Sequence, residues 1–494
     1  MKNTRLSGIL FHPTSLPGKY GIGTLGKQAY KFVDFLVESR QKLWQILPLG
    51  PTGYGDSPYQ CFSAAAGNPL LIDLETLQEE GLLSDADLHT DFGFDAHSVD
   101  YGKVITHKIP VLKKAYEKFK ATASSAEQAK FTNFCENNAH WVNDYALFTA
   151  LKEHYDGKPW HDWTFDIVVR EEESLLEFKE KLAESIMFHK FLQFQFFKQW
   201  LKLKAYANQN YIQIVGDIPI YVAYDSADTW VNPEIFCFDE KRRPELVAGV
   251  PPDYFSRTGQ LWGNPIYNWE VLKANGYQWW VERIRANLVL YDIVRIDHFR
   301  GLESFWAVPY GEKTAENGKW LEGPGKALLD ALFKEFSDIK IIAEDLGVIT
   351  DKVTDLRNSH DLPGMKILQF AFDSKEDNEY LPHTYEKNCV VYTGTHDNDT
   401  VNGWFETVRD EDKKYLYEYL NTNESICWKL IRAAWASVAN IAVTPIQDVL
   451  ELNSSARMNT PGKAAGNWQW RMNENALNSD LAKRLAHLTL IYNR

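Results

Sequence analysis

The sequence predicts an α/β protein, a (β/α)8 TIM barrel with large helical insertions after its second and third strands. Three observations lead there: short apolar runs rich in β-branched residues recur along the chain, helical patterns separate most of them, and four of the runs end in an acid. Those four are residues 212–217 (IQIVGD), 293–297 (IVRID), 339–345 (IKIIAED) and 389–397 (CVVYTGTHD). A strand buried on both faces reads as a continuous apolar run, and parallel barrels keep their chemistry at the C-terminal tips of their strands. Converging tips of this kind would gather several carboxylates in one cleft.

Taken in order, the strand candidates are residues 8–11, 43–47, 212–217, 293–296, 339–343, 366–371, 389–393 and 441–444. Helical patterns fall at 27–40, where Tyr30, Phe32, Val33 and Leu36 share a face, and at 279–290, 325–336 and 413–440. Eightfold alternation of strand and helix fits a closed barrel better than an open doubly wound sheet. The glycine fingerprint of a dinucleotide site is absent after the first strand. Residues 1–494 therefore read as one catalytic barrel unit. Two connections are too long for ordinary loops, about 160 and about 60 residues, and must carry structure of their own. Residues 50–210 read as one or two inserted helical subdomains, with helices near 104–120, 126–137, 143–154 and 171–208. Residues 218–278 read as an inserted lid, because GVPPDYFSRTGQLWGNPIYNW is rich in Pro, Gly and aromatics and resists helix.

A net charge of −14, from 53 Lys and Arg against 67 Asp and Glu, argues against a nucleic-acid partner, which needs a basic face to replace phosphate counterions. Neither a membrane-spanning run nor a signal-peptide pattern is present, so the expected location is cytoplasmic with no membrane partner. Cys61, Cys135, Cys237, Cys389 and Cys427 are far apart and form no CxxC pair, which indicates neither a zinc site nor a disulfide framework. No metal and no cofactor is expected. Monomer and dimer stay equally open.

Arg295 precedes Asp297 by two residues, so alternation in a strand sends both side chains to the same face. A guanidinium beside a carboxylate favours the ionised form that a nucleophile needs. Glu344 directly follows the apolar run IKIIA, where a desolvated wall would raise its pKa and hold a proton for a leaving group. Asp345 would face the other way and read as structural. His396 and Asp397, in TGTHDNDT, suit vicinal sugar hydroxyls better than a metal, and Asp217, in GDIPIYV, is expected to orient other groups rather than react. Trp262 and Asn264 lie in QLWGNP, while Tyr54, Ser57 and Tyr59 lie in PTGYGDSPYQ. Aromatic faces pack on pyranose rings while polar neighbours take the hydroxyls, so acids plus loop aromatics point to a glycan cleft.

The segments HPTSLPGKYGIGTLG, GDSPYQ, GDIPIYV, GVPPDYFSRTGQLWGNPIYNW, VRIDHFRG, AEDLG, GTHDND and RMNTPG…NWQWR together resemble the 4-α-glucanotransferase family, the amylomaltases or disproportionating enzymes, glycoside hydrolase family 77 in the α-amylase clan. The resemblance runs from about residue 8 to about residue 471, in the family's order. It implies a (β/α)8 barrel with helical insertions, Asp297 as nucleophile, Glu344 as general acid/base and Asp397 as transition-state stabiliser. Arg295, His298 and His396 match the family's donors to the sugar, and Asp217 an acid of the same pocket. Where amylases usually carry an Asn-His pair this chain reads GDIPIYV, a departure that favours the transferase branch and disfavours amylase-type calcium binding. The implied enzyme is compact and of bacterial or plastidial type, the bacterial favoured, acting on α-1,4-glucans such as malto-oligosaccharides and amylose, with glucose as an acceptor. The rival readings are an α-1,4-glucan hydrolase of the same clan and a catalytically silent glucan-binding protein.

Overall fold

The computed structural model describes residues 5–88, 92–252, 256–373 and 377–494. Twelve strands follow one another along them: β1 (Leu6–Leu10), β2 (Leu43–Gln45), β3 (Gln213–Ile218), β4 (Leu246–Val250), β5 (Gln260–Pro265), β6 (Ile293–Ile296), β7 (Ser304–Pro309), β8 (Lys319–Glu322), β9 (Ile341–Ala343), β10 (Gly364–Ile367), β11 (Cys389–Tyr392) and β12 (Ile441–Pro445). Eight pair in parallel in the order β10-β11-β12-β1-β2-β3-β6-β9, and the other four form an antiparallel sheet, β5-β4-β7-β8. The eight are the strands read from sequence, and they form a (β/α)8 barrel.

Side-chain parity along these strands divides the apolar residues into two sets. Leu10, Leu43, Val215, Ile293, Ile342, Val390 and Ile441 pack together inside the barrel. Their neighbours Ile9, Trp44, Ile214, Val294, Ile341, Val391 and Ala442 pack outward against the helices. Each strand is thus buried on both faces, which is why it reads as an unbroken apolar run. Continuing the inner parity toward the C-terminal rim, Val215 is followed by Asp217, Ile293 by Arg295 and Asp297, and Ile342 by Glu344. The acid tips stand on the same face as the interior layer, directly above it.

The barrel closes between β9 and β10 without a regular ladder. The Ala343 N–H donates to Pro363 O at 2.9 Å, and Asp345 completes the seam: its Oδ1 accepts the Met365 N–H at 2.7 Å and its Oδ2 accepts Arg357 Nη1 at 2.6 Å. Gly364 leaves room for that carboxylate, since a Cβ there would lie 2.3 Å from Asp345 Oδ2. Asp345 is structural, as its opposite parity to Glu344 predicts.

Several elements differ from the sequence reading. The strand expected at 366–371 is Gly364–Ile367, and Leu368–Phe370 turn into a 3-10 helix, with Gln369 Nε2 donating to Asp399 O at 2.8 Å to pin the turn. The helical pattern at 413–440 is two helices, Asp410–Leu420 and Ile426–Ala436, because Asn421 adopts a left-handed φ of 33° that ends the first. The stretch at 171–208 likewise divides into Glu172–Lys181 and Ala183–Gln209. The Tyr101–Thr122, Ser125–Asn137 and Ala139–His154 helices fall where helices were expected. The segment read as an irregular lid contributes β4 and β5, and the antiparallel sheet that they form with β7 and β8 was not foreseen. Residues 253–255, at the centre of the expected lid, lie outside the described residues.

Asp345→Ala leaves the Met365 N–H without its acceptor and takes one carboxylate from Arg357, which keeps Glu386 and Asn358; losing these buried hydrogen bonds costs about 1.5–3 kcal/mol. Urea unfolding is expected to show a loss of that size; a change under about 1 kcal/mol would mean that the seam is held by other contacts.

Candidate active site

Arg295 occupies the centre of the C-terminal rim and its side chain is 2% exposed. Its Nη2 donates to Asp217 Oδ2 at 2.6 Å and to Asp297 Oδ1 at 2.9 Å, and its Nε donates to the same Asp217 oxygen at 3.0 Å. Nη1 reaches Glu344 Oε2 at 3.1 Å. One guanidinium therefore touches three carboxylates from three different strand tips, using the planar fork for which arginine is suited. Below it lie the Met365 sulfur, 3.9 Å from Nη1, and Tyr392, whose hydroxyl donates to Gln45 Oε1 at 2.9 Å.

Asp217 is closed off from solvent, and Tyr59 supplies its other partner by donating to Oδ2 at 2.6 Å. Burial and the Asp217 charge push the Tyr59 phenol well above its usual range, so it stays a donor. The Tyr59 ring stacks on His396 with centroids 5.1 Å apart, and Trp468 leans against both rings. His396 Nε2 lies 3.4 Å from Asp397 Oδ1, and the Asn459 amide donates to that same oxygen at 2.6 Å.

Asp297 and Glu344 both pair with Arg295 and raise the cost of each other's ionisation. Their titrations are therefore coupled. Burial and the Glu344 charge push Asp297 well above the usual carboxylate range, against the pull of Arg295. Burial also pushes Glu344 up, but Arg295, the neighbouring Asp297 carboxyl and the His298 N–H, which donates to Oε2 at 2.6 Å, outweigh it and hold Glu344 at about 2. The sequence placed Arg295 beside Asp297 alone. The same guanidinium serves both acids, and only Glu344 gains a backbone donor as well.

That donor is positioned by strain. His298 has φ 48° and ψ 47°, a left-handed conformation costly for a residue with a Cβ, and the turn aims its N–H at Glu344. Burial drives the His298 imidazole down to about 4, against the Glu344 charge, so it is neutral near pH 7. Trp262, from β5, meets the His298 ring edge-on at 4.8 Å.

Not every residue singled out from sequence reaches this cluster. Asn264 is buried with its amide committed internally, donating to Val222 O at 2.9 Å and accepting from Gln60 at 3.1 Å. Ser57 Oγ accepts the Tyr59 N–H at 3.2 Å and so shapes the loop that presents Tyr59. Tyr54 is 80% exposed. Asn459, Arg457 and Trp468 were missed as individual residues, although the RMNTPG…NWQWR segment that holds them stood out. Two cavities flank the cluster. One is lined by His396 with His12, Ser15 and Asp448; the other by Asp217 with Cys61, Tyr221, Arg283 and Tyr291. Asp297 and Glu344 line neither.

A TIM barrel with paired carboxyl groups, a third acid and stacked aromatics at its C-terminal rim has the layout of an enzyme acting on glycosidic bonds. Comparison with known proteins narrows that class. The family model described as 4-alpha-glucanotransferase matches residues 11–477. A 4-alpha-glucanotransferase of Synechocystis sp. is 53% identical over 100% of this chain and 99% of its own, and that of Thermus thermophilus is 49% identical over 98% of each. Among solved structures, amylomaltase from Streptococcus agalactiae in complex with acarbose superposes with a TM-score of 0.96 at 44% identity over 99% of both chains. Amylomaltase from Corynebacterium glutamicum, 18% identical, shares the fold with a TM-score of 0.80 over 99% of this chain and 75% of its own. The chain belongs to the 4-alpha-glucanotransferase family.

Replacing Arg295 with Gln removes the charge that holds Glu344 low, so both carboxyls of the pair become harder to ionise. The acidic limb of the kcat/KM profile is expected to move to higher pH by about one unit or more. An unmoved limb would show that the guanidinium does not set the titration of the pair.

Proposed function

We infer that the protein is a 4-α-glucanotransferase that moves α-1,4-glucan segments from a donor to the 4-OH of an acceptor glucan or glucose by retaining double displacement. The observation that carries this reading is the Arg295 clamp, which touches Asp297 at 2.9 Å and Glu344 at 3.1 Å in a chain of this family. Starch, glycogen and maltose metabolism in the cytoplasm is the setting that follows.

In the first displacement the Asp297 carboxylate attacks the anomeric carbon, the glycosidic C–O bond breaks, and Glu344 gives its proton to the departing 4-oxygen. In the second, Glu344 takes the proton of the acceptor 4-OH while that oxygen displaces Asp297 from the sugar. One proton circulates and none is consumed. A donor sugar entering between the two carboxyls decides where the proton sits. Developing positive charge at the anomeric carbon favours the ionised form of Asp297, and the glycosidic oxygen accepts from protonated Glu344. Asp397 takes the 2-OH and 3-OH of the distorted donor sugar, an interaction that strengthens as the ring flattens. Tyr59 offers its ring face beside that sugar, and Trp262 on β5 lies toward the Glu344 side.

Transfer requires that a sugar hydroxyl outcompete water at the covalent intermediate. Coverage of the cleft by the bound acceptor serves that end.

Maltotriose is expected to yield glucose together with a ladder of longer oligosaccharides; shortened products alone would mean a hydrolase, and no change a binding protein. Glu344→Gln is expected to lose turnover of maltotriose by about 10³-fold or more. With a maltosyl fluoride donor, whose leaving group needs no protonation, that variant is expected to accumulate a glycosyl ester on Asp297, detected by mass spectrometry of the digested protein. Label on another residue, or none, would contradict the assigned roles.

A further inference from the structure

Asn459 lies 62 residues beyond Asp397 in sequence, in an irregular stretch that follows the last barrel strand. Three hydrogen bonds nevertheless bind this stretch to the tip that carries Asp397, and a fourth braces the stretch internally. The Asn459 amide donates to Asp397 Oδ1 at 2.6 Å, and its backbone N–H donates to His396 O at 3.1 Å. Arg457 donates through Nη2 to the Asp397 carbonyl and through Nε to the Asn459 carbonyl, each at 2.7 Å. Arg457 thus fastens the two backbones together, and Asn459 reaches the carboxylate.

The Asp397 side chain needs such a partner. It is 44% exposed and stands on a turn rather than within a strand, and among the described residues no Lys or Arg pairs with its carboxylate. His396 Nε2 lies 3.4 Å from the same Oδ1, too long a contact to fix by itself the rotamer of an aspartate on a turn. A short charge-assisted bond to one oxygen stops that rotation and leaves the other oxygen open. The amide is uncharged, so it orients the carboxylate without neutralising it, and a sugar hydroxyl meets the full negative charge.

We propose that Asn459 is the positioning residue for Asp397, holding Oδ1 so that the free oxygen faces the donor sugar in the geometry that the flattened ring requires. This rests on the reading of Asp397 as the group that grips the distorted sugar. The C-terminal segment then belongs to the active site through a residue that does not itself react.

The test is a double-mutant cycle on maltotriose. Asn459→Ala is expected to lower kcat roughly 10- to 100-fold, with KM changed by less than about threefold and with the thermal unfolding midpoint unchanged. In the Asp397→Asn background the same substitution is expected to have almost no further effect, because its target is already gone. Full additivity, or no loss from Asn459→Ala alone, would overturn the positioning role. If instead Asp397→Asn leaves kcat intact, the role given to Asp397 fails first, and the two failures are told apart. Asn459→Asp preserves shape and serves if the alanine variant does not fold. It turns the donor into an acceptor, so its activity relative to the parent is expected to be low near pH 7 and to recover toward about pH 5 as the introduced carboxyl takes a proton. Parental activity at pH 7 in that variant would also overturn the proposal.

Discussion

The site depends on one guanidinium. Arg295 is set on the inner face of β6, a single alternation above the apolar interior and one below Asp297, so the barrel itself raises a fixed positive charge into the centre of the rim. Burying a charge in this position is costly unless it is paired and hydrogen-bonded. Asp217, Asp297 and Glu344 meet that requirement from three strand tips. The arrangement also works in reverse: without the guanidinium, three acids this close would repel one another and could not all ionise. Fold and site are coupled here, because the pairing that makes Arg295 tolerable in the barrel is the pairing that brings Asp297 and Glu344 together.

Most of this was legible in the sequence because barrel strands are local signals. Ile293 to Asp297 states its own burial by composition, its own face by parity and its own rim by ending in an acid. The partition of roles among the tips was legible in part. Asp345 read as structural from parity alone, and it closes the seam between β9 and β10. The reach of Arg295 was not legible, because the sequence puts it beside Asp297 and says nothing of Glu344, 47 positions beyond Asp297. In the folded chain the guanidinium reaches both acids and the strained His298 turn gives Glu344 an additional donor.

What stayed hidden depends on long-range pairing without a local pattern. The antiparallel sheet joins β4 and β5 to β7 and β8, which arrive only after β6 has passed through the barrel, and a five-residue run such as LVAGV does not announce a partner so far away. Asn459 and Arg457 lie in a segment with no periodicity, and their meaning comes entirely from the Asp397 tip that they hold. Asn264 was misleading in the opposite sense: beside Trp262 in an aromatic loop it looked like a ligand for hydroxyls, yet its amide ties β5 to Gln60 and Val222.

The central claim is that Arg295 holds Asp297 and Glu344 as one retaining pair across the scissile bond. A crystal structure with an uncleaved malto-oligosaccharide spanning the rim tests it most directly. The account predicts the two carboxyls roughly 5–5.5 Å apart, on opposite sides of the scissile bond, with Arg295 still touching both. A separation beyond about 6.5 Å, with room for a water against the sugar, would contradict it.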